Sequence, residues 1–210
     1  MTEKTMSVHQ ALAEIKMYDN KIYRATMQTF VSAGRKGNEK IGSETKEEFS
    51  NSIKGNFDSV VALIENKKAI KSAIVLSNAN TKVNIGGIEY TVAEAIERKA
   101  MITHEKQFLN SLKQQYRMAN DKVESENNSL QPRLESYLKS VINEKDKNDI
   151  ETVKMYEKQF RDVNEYELID PCKVRNYIEN LEKSIEDFET EVDYKLSESN
   201  TVTQITVNLA

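Results

Sequence analysis

The sequence of 210 residues contains little of what interrupts or cross-links a chain: one cysteine, two prolines, six glycines and no tryptophan. The single cysteine, Cys172, excludes an intrachain disulfide and fits a reducing compartment. Apolar runs such as Ala73 to Leu76 are far shorter than the roughly 20 residues of a membrane span. Because Met1 to Met6 is polar, we expect no signal peptide, no membrane partner and a cytoplasmic location.

An excess of basic charge is also absent. The chain has 30 basic and 34 acidic side chains, and they are interspersed along its length. Proteins that bind nucleic acids usually carry a basic face or tail, because their affinity comes largely from neutralised phosphates. We therefore expect no general DNA or RNA partner.

What remains is the composition of long helices. Hydrophobic residues make up 38% and charged residues 30% of the chain, and helix breakers are few. Helices of this kind bury a thin apolar seam and leave wide polar faces in water. A thin seam favours assembly, so we expect a homo-oligomer.

Three capping boxes predict helix starts, each with a Ser or Thr N-cap and a Glu or Gln three residues later. The pairs are Ser7 with Gln10, Thr45 with Glu48, and Thr91 with Glu94. Apolar residues at helical spacing follow each box. A loop from Gly34 to Ser43 separates the first two helices, which predicts an antiparallel helical hairpin.

Strand-like alternation appears in Thr81–Ile85 and Ile88–Tyr90, with Gly86-Gly87 as a tight turn between them. The segment Ser77–Ile85 is repeated in pattern by Ser199–Val207: both run Ser-Asn, two residues, Thr, and then alternate apolar with polar residues. We infer a third strand, Thr203–Val207, that joins the hairpin. A three-stranded sheet is stable where a lone hairpin is marginal.

The apolar stripe of the third helix weakens near Asn127–Ser129, and Pro132 predicts a break or a kink there. We expect a charged turn at Glu144–Asn148, with Asn148 and Glu151 capping a short helix. Asp170-Pro171 predicts the start of a last, coiled-coil-like helix, with Pro171 and Cys172 in its first turn. The predicted fold is mainly α: long antiparallel helical hairpins or a bundle, plus a minor sheet. Residues 1–120 and 121–210 form its two parts, packed as one unit.

Catalytic and metal-binding patterns are missing. The two histidines, His9 and His104, lie on different predicted helices and far from Cys172, so no short ligand spacing occurs. Pairs such as Glu182 with Glu186 lie between the apolar positions of the last helix, where they form its solvated face. We expect no enzyme, no metal and no cofactor.

The strand hairpin is where polar groups gather. Thr91 opens a helix whose backbone N–H groups could hold an anion, and Arg98 and Lys99 could add positive charge. The candidate ligand-binding residues are Asn78, Asn80, Thr81, Thr91, Arg98, Lys99, Asn200 and Thr203. The alternative is that Asn and Thr are caps and that Arg98 and Lys99 face water or pair with Glu94 and Glu97, and caps explain most of these residues.

Segments of the first half resemble the septicolysin-like family of small bacterial and phage proteins. The resemblance covers Ser7 to about Ala119 and rests on Ala-Leu-Ala-Glu at Ala11–Glu14, on Ser77–Thr81 and on Thr91–Lys99, in that order and spacing. The portion after Ala119 is similar to uncharacterised phage and prophage proteins. The family implies a helical hairpin with a β-hairpin insert in a homo-oligomer, and it implies no secure activity.

Two hypotheses follow from these features. The first is a non-enzymatic, oligomeric, phage-borne protein that captures a small anionic, nucleotide-like ligand such as a host defence signal, in the host cytoplasm. The alternative is a virion-associated or structural assembly protein, which uses the same helices and needs no ligand site.

Overall fold

The computed structural model describes residues 2–37, 39–143 and 149–210. Within them the chain is mainly helical, with short paired strands at helix ends, which confirms the predicted fold class. In chain order the elements are β1 (Thr2–Ser7), α1 (Val8–Ala25), β2 (Lys40–Ile41), β3 (Glu44–Thr45), α2 (Lys46–Asn80), β4 (Lys82–Ile85), β5 (Ile88–Thr91), α3 (Val92–Asn128), α4 (Leu130–Val141), α5 (Ile150–Asn164), α6 (Val174–Val202) and β6 (Gln204–Leu209).

Contacts divide the chain into two compact units. The first unit comprises Met1–Ala100 and Asp187–Ala210, and the second comprises Met101–Glu186. The predicted boundary at residue 120 instead lies inside α3, because that helix continues without interruption to Asn128.

All three predicted capping boxes are present. The backbone N–H of Gln10 donates to Ser7 Oγ at 3.2 Å, and the N–H of Glu94 donates to Thr91 Oγ1 at 3.1 Å. Thr45 and Glu48 form the same pair at 3.2 Å. These bonds satisfy N–H groups that have no partner within the helix, so the local sequence sets where each helix begins.

In the first unit, α1 and α2 pack against each other in opposite directions. Ala11, near the start of α1, belongs to the same buried cluster as Ile70 and Ile74, and Asp19 farther along α1 forms an ion pair with Lys67. The predicted antiparallel helical hairpin is confirmed. Its apolar cluster also contains Ile205 and Val207, so β6 packs on α2.

The predicted three-stranded sheet is wrong. β4 pairs with β5, whereas β6 pairs with β1 in antiparallel register, from Ser7 opposite Gln204 to Thr2 opposite Leu209. Val83 and Ile205 therefore lie in different sheets. The first strand escaped prediction because Thr2–Thr5 are exposed and polar, so β1 lacks the apolar alternation that marks a half-buried strand.

The predicted turn between β4 and β5 is confirmed. Gly86 and Gly87 have φ values of +59° and +79°, a left-handed backbone that glycine adopts without steric cost. A Cβ on Gly86 would lie 2.9 Å from Cβ of Asp187 in α6, whereas one on Gly87 would meet nothing within 4 Å. Only the first glycine is therefore also required by close packing.

In the second unit, the break after α3 is confirmed: α3 ends at Asn128 and α4 begins at Leu130. Asn127 holds the segment that follows α5, because its amide donates to the carbonyl of Tyr166 at 2.8 Å and accepts from the N–H of Tyr166 at 2.9 Å. Leu130 and Leu134 are buried.

Two predicted helix starts in the second half need correction. α6 begins at Val174 rather than at Pro171, because the Asp170 carboxylate accepts from the N–H of Val174 at 2.9 Å and Lys173 has φ of +51°. Pro171 and Cys172 therefore precede the helix. The N-cap of α5 is Asp149; the turn predicted at Glu144–Asn148, including the Asn148 cap, lies outside the described residues.

Candidate ligand groove at the helix–strand junctions

The repeated segments form two helix–strand junctions, both within the first unit. The hairpin junction consists of residues 77–85 and 88–95, where α2 ends, β4 pairs with β5 and α3 begins. The terminal junction consists of residues 199–207 and 4–11, where α6 ends, β6 pairs with β1 and α1 begins. Candidate ligand-binding residues were predicted in both.

The two junctions share their backbone hydrogen bonds. At the helix end, the N–H of Thr81 donates to Ser77 O at 2.8 Å, and the N–H of Thr203 donates to Ser199 O at 2.9 Å. The carbonyls of the same threonines then accept from the first residue of the next helix, at 2.8 Å from Val92 N and 3.0 Å from Val8 N. Each threonine thus ties a helix end to a helix start.

Thr91 acts as a cap rather than as an open anion site. Its N–H and its hydroxyl donate to the Glu94 carboxylate at 2.7 Å and 2.9 Å. These bonds lower the pKa of Glu94, since they stabilise its ionised form. The N–H of Val92 is bound to Thr81 O. The start of α3 is therefore already bound by a carboxylate of the chain.

Arg98 and Lys99 are engaged with α6. The Arg98 guanidinium lies 4.4 Å from the ring centroid of Phe188 and donates to the Tyr90 hydroxyl. Lys99 forms an ion pair with Asp193. Both cations hold the hairpin junction against α6, in place of the predicted role beside Thr91.

The three predicted asparagines lie on the last turns of their helices. The Asn80 amide donates to the carbonyl of Leu76 at 2.8 Å, which satisfies a carbonyl at the end of α2. Asn78 and Asn200 are half-buried in the last turns of α2 and α6. None of the three lines the groove described next.

A groove of about 280 Å³ brings the remaining two predicted residues together. Thr81 and Thr203 both line it, although they belong to different junctions. The full lining is Thr81, Lys82, Val83, Asn84, Lys195, Glu198, Ser199, Val202 and Thr203. Hydroxyl, amide and ammonium groups thus surround a space between β4 and the last two turns of α6. We call this space the junction groove.

The charges of the junction groove are partly compensated. Lys82 forms an ion pair with Glu89 at 2.6 Å, and this contact raises the pKa of Lys82. Lys195 lies 3.7 Å from Glu198, which is longer than a hydrogen bond. α2 and α6 both end at the groove, and helix C-termini carry partial negative charge. The two lysines offset that charge.

Five chemically useful groove residues escaped the prediction. They are Lys82, Asn84, Lys195, Glu198 and Ser199. Lys82, Asn84 and Ser199 lie inside the repeated segments, so the repeat itself could have drawn attention to them. Lys195 and Glu198 carried no signal, because the face of α6 that meets β4 is set by tertiary packing.

Among residues 2–37, 39–143 and 149–210, no three His, Cys, Asp or Glu side chains cluster as metal ligands would. Cys172 is exposed, and so are His9 and His104. In the same part of the chain, no helix combines the length and apolar character that crossing a membrane requires.

Comparison with known proteins gives no family. No family model matches the sequence, and no curated protein and no solved structure matches it significantly. The septicolysin-like resemblance therefore stays a prediction, and the junction groove is the feature that bears on function.

Proposed function

We propose that this protein is a non-enzymatic binding protein that captures a small anionic, nucleotide-like ligand in the junction groove. One observation carries the proposal: Lys82 and Lys195 meet the hydroxyl-bearing residues Thr81, Ser199 and Thr203 around one space of about 280 Å³. Ammonium groups attract a phosphate, whereas hydroxyl and amide groups orient the neutral part of a ligand.

The comparison between the two junctions supports a specialised role for these lysines. Counting back from Thr81 and Thr203, the position of Lys195 in α6 corresponds to Ala73 in α2, and Lys82 corresponds to Gln204. The equivalent positions in β6 and α2 therefore carry no positive charge, although the backbone around them is the same. Structure alone does not require lysine at either position, which favours a binding role for the pair.

The loose contact between Lys195 and Glu198 suits capture. At 3.7 Å the two groups attract each other without a hydrogen bond, so a ligand phosphate can replace Glu198 at little cost. Because the negative ends of two helices also face the groove, binding depends on both lysines and weakens with salt. The ligand leaves unchanged, since no catalytic group takes part in this arrangement.

Isothermal titration of the full chain against cyclic nucleotides and ADP-ribose-type nucleotides tests the proposal. We expect one ligand per chain, at least a tenfold loss of affinity in Lys82→Gln/Lys195→Gln, and recovery of intact ligand by mass spectrometry. The matched control is Lys54→Gln/Lys71→Gln, which removes two exposed lysines of α2 outside the groove. Failure of every nucleotide to bind the folded protein, or equal binding by both double variants, contradicts the proposal.

A second candidate is the assembly protein, in a virion or as a homo-oligomer, and the exposed apolar side chains of α2 favour it. Phe57 is 57% exposed and Val61 is 43% exposed, one turn apart on the same face. Light scattering coupled to gel filtration tests self-association: we expect Phe57→Ser/Val61→Ser to lower the measured mass. Mass spectrometry of purified phage particles tests the virion role, which fails if the protein is absent from them.

A further inference from the structure

The two junctions agree in a second sequence correspondence. Ser7-Val8-His9-Gln10-Ala11-Leu12 opens α1, and Thr91-Val92-Ala93-Glu94-Ala95-Ile96 opens α3. Both segments run hydroxyl cap, Val, any residue, Gln or Glu, Ala, and then Leu or Ile. This correspondence concerns the helix starts, whereas the repeated segments Ser77–Ile85 and Ser199–Val207 concern the helix ends.

Burial follows the same correspondence. Val8 and Val92 are each 2% exposed, and Ala11 and Ala95 are each 0% exposed. On the strand side, residues 82–85 and 204–207 share one pattern of exposed and buried positions in alternation. Equivalent positions therefore have equivalent environments.

A capping box by itself does not produce this pattern. The box at Thr45 starts α2, yet Lys46 and Phe49 stand where the two junctions have Val and Ala. Both residues are only half-buried there. The shared Val and Ala thus reflect a shared packing site, beyond the requirements of a helix start.

The order of elements along the chain shows how the corresponding segments pair. Apart from the two-residue strands β2 and β3, residues 2–85 run strand, helix, helix, strand. Residues 88–209 begin with a strand and helix and end with a helix and strand. The first strand of each stretch pairs with the last strand of the other. Each stretch also supplies the helix on which the opposite junction packs: α2 lies under β6, and α6 contacts Gly86 and Tyr90.

We propose that residues 2–85 and 88–209 are two copies of one unit, and that the core of the first unit is a self-complementary interface between them. The surface that each copy presents fits a second copy of the same unit, as at a two-fold symmetric dimer interface. Between α3 and α6 the second copy carries α4 and α5, where the first copy has only the connection from α1 to α2 with the short strands β2 and β3.

The proposal makes a specific structural demand on two positions. In the hairpin junction Tyr90 packs edge-on against Phe188 of α6, with ring centroids 5.8 Å apart. Counting from the caps and the helix ends, Tyr90 corresponds to Met6, and Phe188 corresponds to Asn66 of α2. Met6 and Asn66 must therefore occupy the same relation in the terminal junction, and both are buried.

A double-mutant cycle in the full chain tests this demand. Asn66→Phe alone is expected to lower the melting temperature, because it also removes the acceptor of the Ala210 N–H. Met6→Tyr/Asn66→Phe rebuilds the aromatic pair, and we expect it to recover at least half of the loss that the two single changes produce together.

The control combines Asn66→Phe with Thr5→Tyr, since Thr5 is the exposed neighbour of Met6 and points to the opposite side of β1. No recovery is expected in that variant. Loss of coupling between positions 6 and 66, or equal coupling for positions 5 and 66, overturns the two-copy assignment. Circular dichroism of each variant before melting confirms that the folded helical state is being compared.

Discussion

The hairpin junction and the terminal junction reach one geometry with different chemistry. The hairpin junction has four-residue strands, a charged capping residue, Glu94, and an aromatic and cationic contact with α6 through Phe188. The terminal junction has six-residue strands, a neutral capping residue, Gln10, and an aliphatic contact with α2. The backbone bonds define the junction, whereas the side chains decide how it responds to pH, salt and substitution.

The largest loss of stability is expected from a change in α6, the helix on which the hairpin junction packs. Phe188 is 1% exposed and contacts both Tyr90 and Arg98, so Phe188→Ala leaves a cavity and removes a cation–π contact. We expect a loss of about 3–5 kcal/mol in the free energy of unfolding, measured by urea denaturation. Tyr194→Ala, at a 63% exposed position of the same helix, is the control and should change it little. Equal effects would show that α6 does not support the hairpin junction.

The Gly86-Gly87 turn, which joins the two strands of the hairpin junction, gives the next effect. Gly86→Ala places a methyl group 2.9 Å from Cβ of Asp187 and strains a φ of +59°. We expect a loss of about 2–4 kcal/mol, combining left-handed strain with overpacking. Gly87→Ala carries only the strain, about 1–2 kcal/mol. If thermal melting ranks the two variants the other way, α6 does not pack against the turn as described.

Acid is expected to weaken the capping box of the hairpin junction more than the capping box of the terminal junction. The bonds from Thr91 lower the pKa of Glu94, so its stabilising contribution is present above the usual glutamate pKa of about 4.3 and is lost as pH falls through the lower folded-state value. We therefore expect Glu94→Gln to lose less melting temperature than the parent protein between about pH 6 and pH 3. The converse change, Gln10→Glu, should make the terminal junction acid-sensitive; an unchanged pH profile in both variants refutes this comparison.

The smallest effect concerns the exposed face of the terminal junction. Thr5 and Thr206 are opposite each other, with their hydroxyl oxygens 3.0 Å apart. Thr206→Ala removes this cross-strand pair, and we expect about 0.2–1 kcal/mol less stability by urea denaturation. The matched change in the hairpin junction is Asn84→Ala. Asn84 is exposed in β4 and lies opposite Glu89 of β5. A larger loss of stability from either change would mean that the exposed faces of these strands contribute more than a solvated cross-strand pair does.

Local features of this fold were predictable from sequence. Each capping box involves residues three apart, and the Gly86-Gly87 turn involves neighbours, so short-range stereochemistry sets these features. The pairing of β1 with β6 joins residues about 200 positions apart, and no local pattern in β1 marks it. The start of α6 was mispredicted for a different reason: the bond from Val174 to Asp170 is local, but it spans a turn in which Lys173 has φ of +51°, a conformation that the sequence does not mark.

The candidate site was less predictable than the fold. Thr81 and Thr203 both line the junction groove, but the shared sheet that was predicted to bring them together is wrong. Arg98 and Lys99 were predicted to face a ligand because their charge is visible in sequence, but their partners Phe188 and Asp193 are visible only in the fold. Long side chains near a cap can point to several surfaces, and tertiary contacts choose among them.

The pairing of β1 with β6 has a consequence for synthesis on the ribosome. Val8, Ala11 and Ile70 belong to a cluster that β6 completes with Ile205 and Val207, so part of the cluster stays uncovered until β6 has been translated. Contacts of such high sequence separation form slowly, because the chain loses the entropy of closing a long loop before the contacts stabilise it. During that interval the nascent chain presents an apolar surface that a chaperone can recognise.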